Sequence, residues 1–122
     1  MPEVKFVDQA GVRVLLMDFS HAPDSQAIAE MAEKAILLVR SSRQKGSVRG
    51  LIDFTGTSLN GVVRRSMQKM SLSNGPYMRA VAFVGFGVLL SLLFRFMLKA
   101  TGRSNHRVFR TRQEALDWLE KQ

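Results

Sequence analysis

An α/β fold is predicted by three features of the sequence: a single mixed β-sheet of about five strands with about four α-helices, in the order β-β-α-β-α-β-α-β-α. From residue 20 onward, short apolar runs alternate with longer segments of helical periodicity. The apolar runs are continuous, as in strands covered on both faces. Glycine, proline and asparagine punctuate the boundaries, and no linker or low-complexity stretch divides the 122 residues, so 1–122 read as one domain.

The elements follow in order. Val4 to Val7 is a short strand, Gln9-Ala10-Gly11 a turn, and Val12 to Phe19 a longer strand, together a hairpin. At its centre Val14-Leu15-Leu16-Met17 is apolar throughout. Pro23 and Asp24 open a helix, since proline is tolerated in the first turn and aspartate suits a cap or the dipole. Ile28, Met31, Ala32, Ala35, Leu38 and Val39 recur at helical spacing, and the helix ends before Gly46. Val48 to Phe54 is the next strand, followed by the polar loop Thr55-Gly56-Thr57-Ser58. A weaker helix starts near Ser58 to Asn60, runs through Val63, Met67 and Met70, and stops at Asn74-Gly75-Pro76. Met78 to Phe86 is a mostly apolar strand. Gly85 and Gly87 flank its exit, and a helix from Val88 to Ala100 ends at Gly102. His106 to Arg110 is a charged strand suited to a sheet edge. Thr111-Arg112-Gln113-Glu114 forms a capping box, and Ala115, Leu116 and Leu119 are the buried side of the last helix.

The hydrophobic content of 46% and charged content of 23% are those of a globular chain. The absence of cysteine excludes disulfides, thiolate nucleophiles and cysteine-ligated metals, and it is compatible with a reducing compartment. The first residues carry no basic start followed by a long apolar run, so a cytoplasmic location is expected, with peripheral membrane contact as the alternative. Charge is lopsided. Residues 1–60 hold seven basic and seven acidic side chains, whereas residues 61–122 hold eleven basic and three acidic, which accounts for the net charge of +8. Between Asp53 and Glu114 ten cations and no acid occur. Such asymmetry suits an anionic partner or a solvated face. Nucleic acid is disfavoured as that partner, because no recognition-helix pattern or aromatic-interleaved strand accompanies the cations.

Taken together, Asp18-Phe19-Ser20, Asp53-Phe54-Thr55-Gly56-Thr57, Asn74-Gly75-Pro76-Tyr77, Thr101-Gly102-Arg103 and Glu114-Ala115-Leu116-Asp117-Trp118-Leu119 are similar in order and spacing to known proteins. On these residues the chain resembles, over nearly its whole length, the small bacterial SpoIIAA-like proteins, also described as STAS/SEC14-type domain proteins. The resemblance implies a mixed sheet with helices. Its better-known relatives are anti-sigma-factor antagonists, which bind a kinase and are switched by phosphorylation of a serine at a helix start. The corresponding stretch here, Leu59-Asn60-Gly61-Val62, lacks both that serine and the aspartate before it, and Ser58 lies nearby but out of place.

Two groups of residues are candidate sites. Asp18 and Asp53 each end a strand and are followed two residues on by a hydroxyl, Ser20 and Thr55. With Ser58 they would line a polar crevice at the carboxyl edge of the sheet. Paired carboxylates there could do acid–base work or hold a divalent cation. The reading that the residues favour is that they tie their loops through hydrogen bonds to the backbone, since Asp, Ser and Thr dominate such turns without any chemistry. The histidines, His21 and His106, complete no catalytic motif, and neither a cofactor nor a metal is expected.

The second group is the helix at 88–100, which begins inside the uncharged segment Ala80 to Phe94 that two glycines divide into strand and helix. Ser91, Arg95 and Lys99 form one polar stripe, while Leu89, Leu93, Phe94, Phe96 and Met97 belong to an apolar surface wider than one sheet face needs. Another copy, a protein partner, an anionic membrane surface flanked by Arg95, Lys99 and Arg103, or an apolar ligand could cover the excess. These readings define a non-enzymatic binding or regulatory module acting by protein contact or self-association. The alternative is a lipid- or apolar-ligand-binding domain of SEC14-like type.

Overall fold

Ala10 and Gly11, at φ 50° and 83°, turn the chain sharply enough for the strands on either side to pair along their full length. β1 (Glu3–Gln9) therefore lies antiparallel to β2 (Val12–Asp18) with Gln9 opposite Val12 and Glu3 opposite Asp18. β1 is longer than its apolar run predicts, because the tight turn brings its polar ends into register. The computed structural model describes residues 2–42, 44–58, 60–87, 90–92, 94–95 and 105–122.

β3 (Val48–Asp53), β4 (Met78–Val84) and β5 (His106–Val108) follow β2 in parallel, so the sheet order is β1-β2-β3-β4-β5. Between them lie α1 (Ser25–Arg40), α2 (Gly61–Asn74), a 3-10 turn at Gly75–Tyr77, and α3, described at 90–92 and 94–95. α4 (Arg112–Glu120) closes the order, which is the one the sequence predicts.

Each crossover steps one strand along the sheet in the same direction. Crossovers between parallel strands are right-handed, so all three helices must fall on one face. Ile28, Ala35 and Val39 of α1, Val63 and Met70 of α2, and Phe94 of α3 accordingly share one cluster with Leu15, Met17, Ile52 and Phe83. α4 follows the last strand and is free of this rule. Ala115 and Leu119 cover the opposite face over Val14, Leu16, Leu51, Ala82 and Val84. Alternate residues of β2 serve the two cores, which explains its unbroken apolar run.

The helix starts are closed by Asp24, Asn60 and Thr111, whose side chains accept from the amides of Ala27, Val63 and Glu114. Glu114 departs from a reciprocal capping box: its Oε1 accepts the Thr111 hydroxyl at 3.1 Å.

Candidate functional site

Asp18 and Asp53 stand side by side in the β2–β3 register at the carboxyl edge. Each makes the same local structure. Asp18 Oδ1 accepts from the Ser20 amide at 3.0 Å and the Ser20 hydroxyl at 2.5 Å. Asp53 Oδ1 accepts from the Thr55 amide at 2.9 Å and the Thr55 hydroxyl at 2.6 Å. An aspartate ending a strand two residues before a hydroxyl folds the exit back on its own carboxylate.

The second oxygens meet a residue that the pattern at 18–20 and 53–55 does not reveal. Arg112 Nη2 lies 3.2 Å from Asp18 Oδ2 and 2.6 Å from Asp53 Oδ2, while its Nε donates to Asp53 Oδ2 at 3.2 Å. Period-two alternation puts Asp18 and Asp53 on the face of Leu16 and Leu51, the face that α4 covers. Arg112 is the first residue of α4, where the helix dipole disfavours a cation. The carboxylates offset that cost. Thr111 as a cap after an edge strand was the available signal, since a helix following a parallel strand must start at this edge.

Asp53 is nearly inaccessible, with 5% of its surface exposed. Burial pushes the Asp18 carboxyl upward, but hydrogen bonds from the Ser20 hydroxyl and amide and from Arg112 outweigh it and hold the group below its ordinary value. Burial likewise lowers Arg112, and its bonds to Asp53 and Asp18 more than reverse this. All four carboxylate oxygens are therefore engaged in tying two loops and one helix to the sheet edge. No group of three His, Asp or Glu side chains suited to a metal occurs among the described residues.

The loops after β2 and β3 are joined further. Phe19 and His21 amides donate to Asp53 and Thr55 carbonyls at 2.9 and 2.8 Å. The Thr57 hydroxyl donates to the Phe19 carbonyl at 2.5 Å. Ser58 is exposed and takes no part in the Asp18–Arg112–Asp53 cluster. His21 packs against Gly56, where a Cβ would come within 2.4 Å of its Nδ1. The Ser20 hydroxyl is given to Asp18, so Asp18, Ser20 and His21 form no relay. α2 begins at Gly61 under an asparagine cap, Asn60 Oδ1 accepting from the Val63 amide, so neither the cap nor the first helical residue is a serine.

A second feature lies on the opposite face. A cleft of about 560 Å³ opens between α2, α3 and the sheet. Its floor includes Met17, Ile52 and Phe83, its α2 wall Met67 and Met70, and its α3 wall Leu90 and Phe94. Phe83, Phe86 and Phe94 pack together with ring centroids 4.7 to 6.2 Å apart. At the C-terminal end of α2 the cleft meets Asn74, 4% exposed, whose Oδ1 has no hydrogen-bond partner among the described residues.

Of the candidate apolar helix, Phe94 turns into this cleft and Arg95 Nη2 donates to the Val108 carbonyl at 3.3 Å. Leu92 is 58% exposed. Leu89, Leu93, Phe96, Met97 and Lys99 lie outside the described residues. Among the described residues no helix is long and apolar enough to cross a membrane.

A mixed sheet in sequential order, with its crossover helices on one face and a lone final helix on the other, defines the fold class as SpoIIAA-like. The crystal structure of an uncharacterised protein of the DUF3478 family with a SpoIIAA-like fold, from Shewanella loihica PV-4, is similar across 98% of this chain and 95% of its own. The TM-score is 0.69 and the identity 21%, so the likeness is one of fold. No family model and no curated protein matches the sequence.

Proposed function

We propose that this chain is a non-enzymatic binding module whose cleft between α2 and α3 takes a small apolar molecule. The observation that carries this reading is the cleft itself. Its volume of about 560 Å³ falls within the range of about 300–1,000 Å³ usual for small-molecule sites. Methionine and phenylalanine dominate its lining and adapt to varied apolar shapes, with Arg64, Gln68, Ser71 and His106 also bordering it. The engagement of Asp18 and Asp53 by Ser20, Thr55 and Arg112 supports a structural part for the polar edge, leaving binding to the apolar side.

Titration with the neutral apolar fluorophore N-phenyl-1-naphthylamine tests the reading. Saturable enhancement in the native chain, abolished by filling the cleft with Met67→Trp, is expected. Absence of saturable binding, or equal binding by the Met67→Trp variant, overturns it.

Self-association through α3 is a second reading, favoured by the exposure of Leu92. It predicts a dimeric mass by light scattering at high micromolar concentration, lost on Leu92→Glu. A monomeric mass there refutes it.

A further inference from the structure

We infer that the cleft selects amphiphiles with an anionic head, the apolar chain lying between α2 and α3 and the head meeting Arg64 at the mouth. This rests on the cleft being a ligand site. Among the described residues no aspartate or glutamate lines the cleft, whereas Arg64 and His106 do. The cause is in the sequence. Apart from Met17 and Ile52, the lining comes from the stretch between Asp53 and Glu114, which carries cations and no acid.

The two ends of the cleft differ. α2 starts at the carboxyl edge of the sheet, so Arg64, near its start, borders the same end as Phe54 and Phe86, just beyond β3 and β4. Met78 and His106 lie at the other end, where β4 and β5 begin. His106 is already held: its ring stacks on Phe83 with centroids 5.9 Å apart, and its Nδ1 lies 2.8 Å from Asn105 Oδ1. Arg64 is exposed, and its guanidinium enters no ion pair or hydrogen bond among the described residues. Gln68 and Ser71, four and seven residues further on, continue the polar rim along α2. Lys69 is placed differently. It lies about 140° round the helix from Arg64, beside the groove bordered by Glu30 and Glu33 of α1, and pairs with Glu33. The acids of α1 therefore serve the far side of α2 and leave Arg64 to what enters the cleft. A guanidinium stays charged and offers a planar set of donors to an anionic head. At the mouth neither group need be fully desolvated.

Displacement of bound N-phenyl-1-naphthylamine by decanoate, 1-decanol and decylammonium, which share one chain length, tests the inference. Decanol reports the apolar contribution alone. In the native chain at low salt decanoate should bind more tightly than decylammonium, and the difference should shrink from about 0.01 M to about 1 M salt as screening shortens from about 30 to 3 Å. Arg64→Gln should weaken decanoate about fivefold, as one exposed ion pair allows, with decanol binding retained. Arg65→Gln, on the same helix but off the lining, should leave decanoate binding unchanged and so separates Arg64 from the general basic charge. Decylammonium binding as tightly as decanoate, no loss in Arg64→Gln, or an equal loss in Arg65→Gln each overturns the inference while leaving the cleft a ligand site. The native-chain comparison needs no variant to fold. Failure of the probe itself to bind overturns the cleft reading and this inference with it.

Discussion

Replacing Arg112 by methionine tests whether the polar edge is a structural clamp. The substitution keeps much of the aliphatic stem and removes the guanidinium that joins Asp18 to Asp53. Two carboxylates are then left adjacent, with the Asp53 side chain 7% exposed and that of Asp18 14% exposed. Removing one partner of a fully buried ion pair costs about 3–5 kcal/mol. The Arg112 side chain is 40% exposed, so solvent screens part of the interaction. The discounted expectation is a loss of about 2–3 kcal/mol. For a domain of this size that lowers Tm by about 6–15 °C at pH 7.

The loss should also depend on pH. Asp18 is held below its ordinary value in the folded chain, so its contribution is complete above the unfolded carboxylate pKa and fades as pH falls through the folded one. Without Arg112 the two carboxylates repel, the Asp18 carboxyl moves up, and acid relieves the repulsion. The stability difference between native chain and Arg112→Met should therefore narrow as pH falls from 7 through the carboxylate range. Urea unfolding at a series of pH values measures it. A loss below about 0.5 kcal/mol at pH 7, typical of an uncoupled surface site, would refute the clamp. So would a gap that is constant with pH.

Three further outcomes are expected. Gly85→Ala should cost more than about 3 kcal/mol, because at φ 97° a Cβ would lie 2.2 Å from the Thr55 nitrogen; thermal melts within about 0.5 kcal/mol of the native chain would contradict the packing. Thr57→Val should cost about 1–2 kcal/mol by urea unfolding, since the Phe19 carbonyl loses its hydroxyl donor; an unchanged midpoint would contradict that link. The Lys69–Glu33 pair, with side chains 67% and 55% exposed, should show a coupling below about 0.5 kcal/mol in a double-mutant cycle; a coupling above about 1 kcal/mol would show that solvent does not screen it.

Most of the fold was legible because its signals are local. Ala10-Gly11 marks the hairpin, Asp24 and Thr111 mark helix starts, and the unbroken run Val14–Met17 marks a strand covered on both sides. The repeated aspartate–x–hydroxyl motif likewise pointed to both strand ends, and its hydrogen bonds span only two residues. Arg112 did not stand out among ten cations because it lies 59 residues from Asp53, and the contact exists only once the strands are ordered and α4 crosses to the other face. Asn74 was read as a helix stop. Its burial and its unpartnered oxygen depend on where α2 packs.

The sequence by itself determined the order of elements, the caps, the turns and the two-sided burial of the sheet, since each follows from residues within one or two turns of chain. Tertiary structure alone decided what the polar and apolar candidates do. It brought two aspartates that could have been catalytic onto one arginine, because parallel register and side-chain alternation align them under the start of α4. It also opened a cleft among the described residues between α2, α3 and the sheet, on the face to which three crossovers of one hand bring their helices.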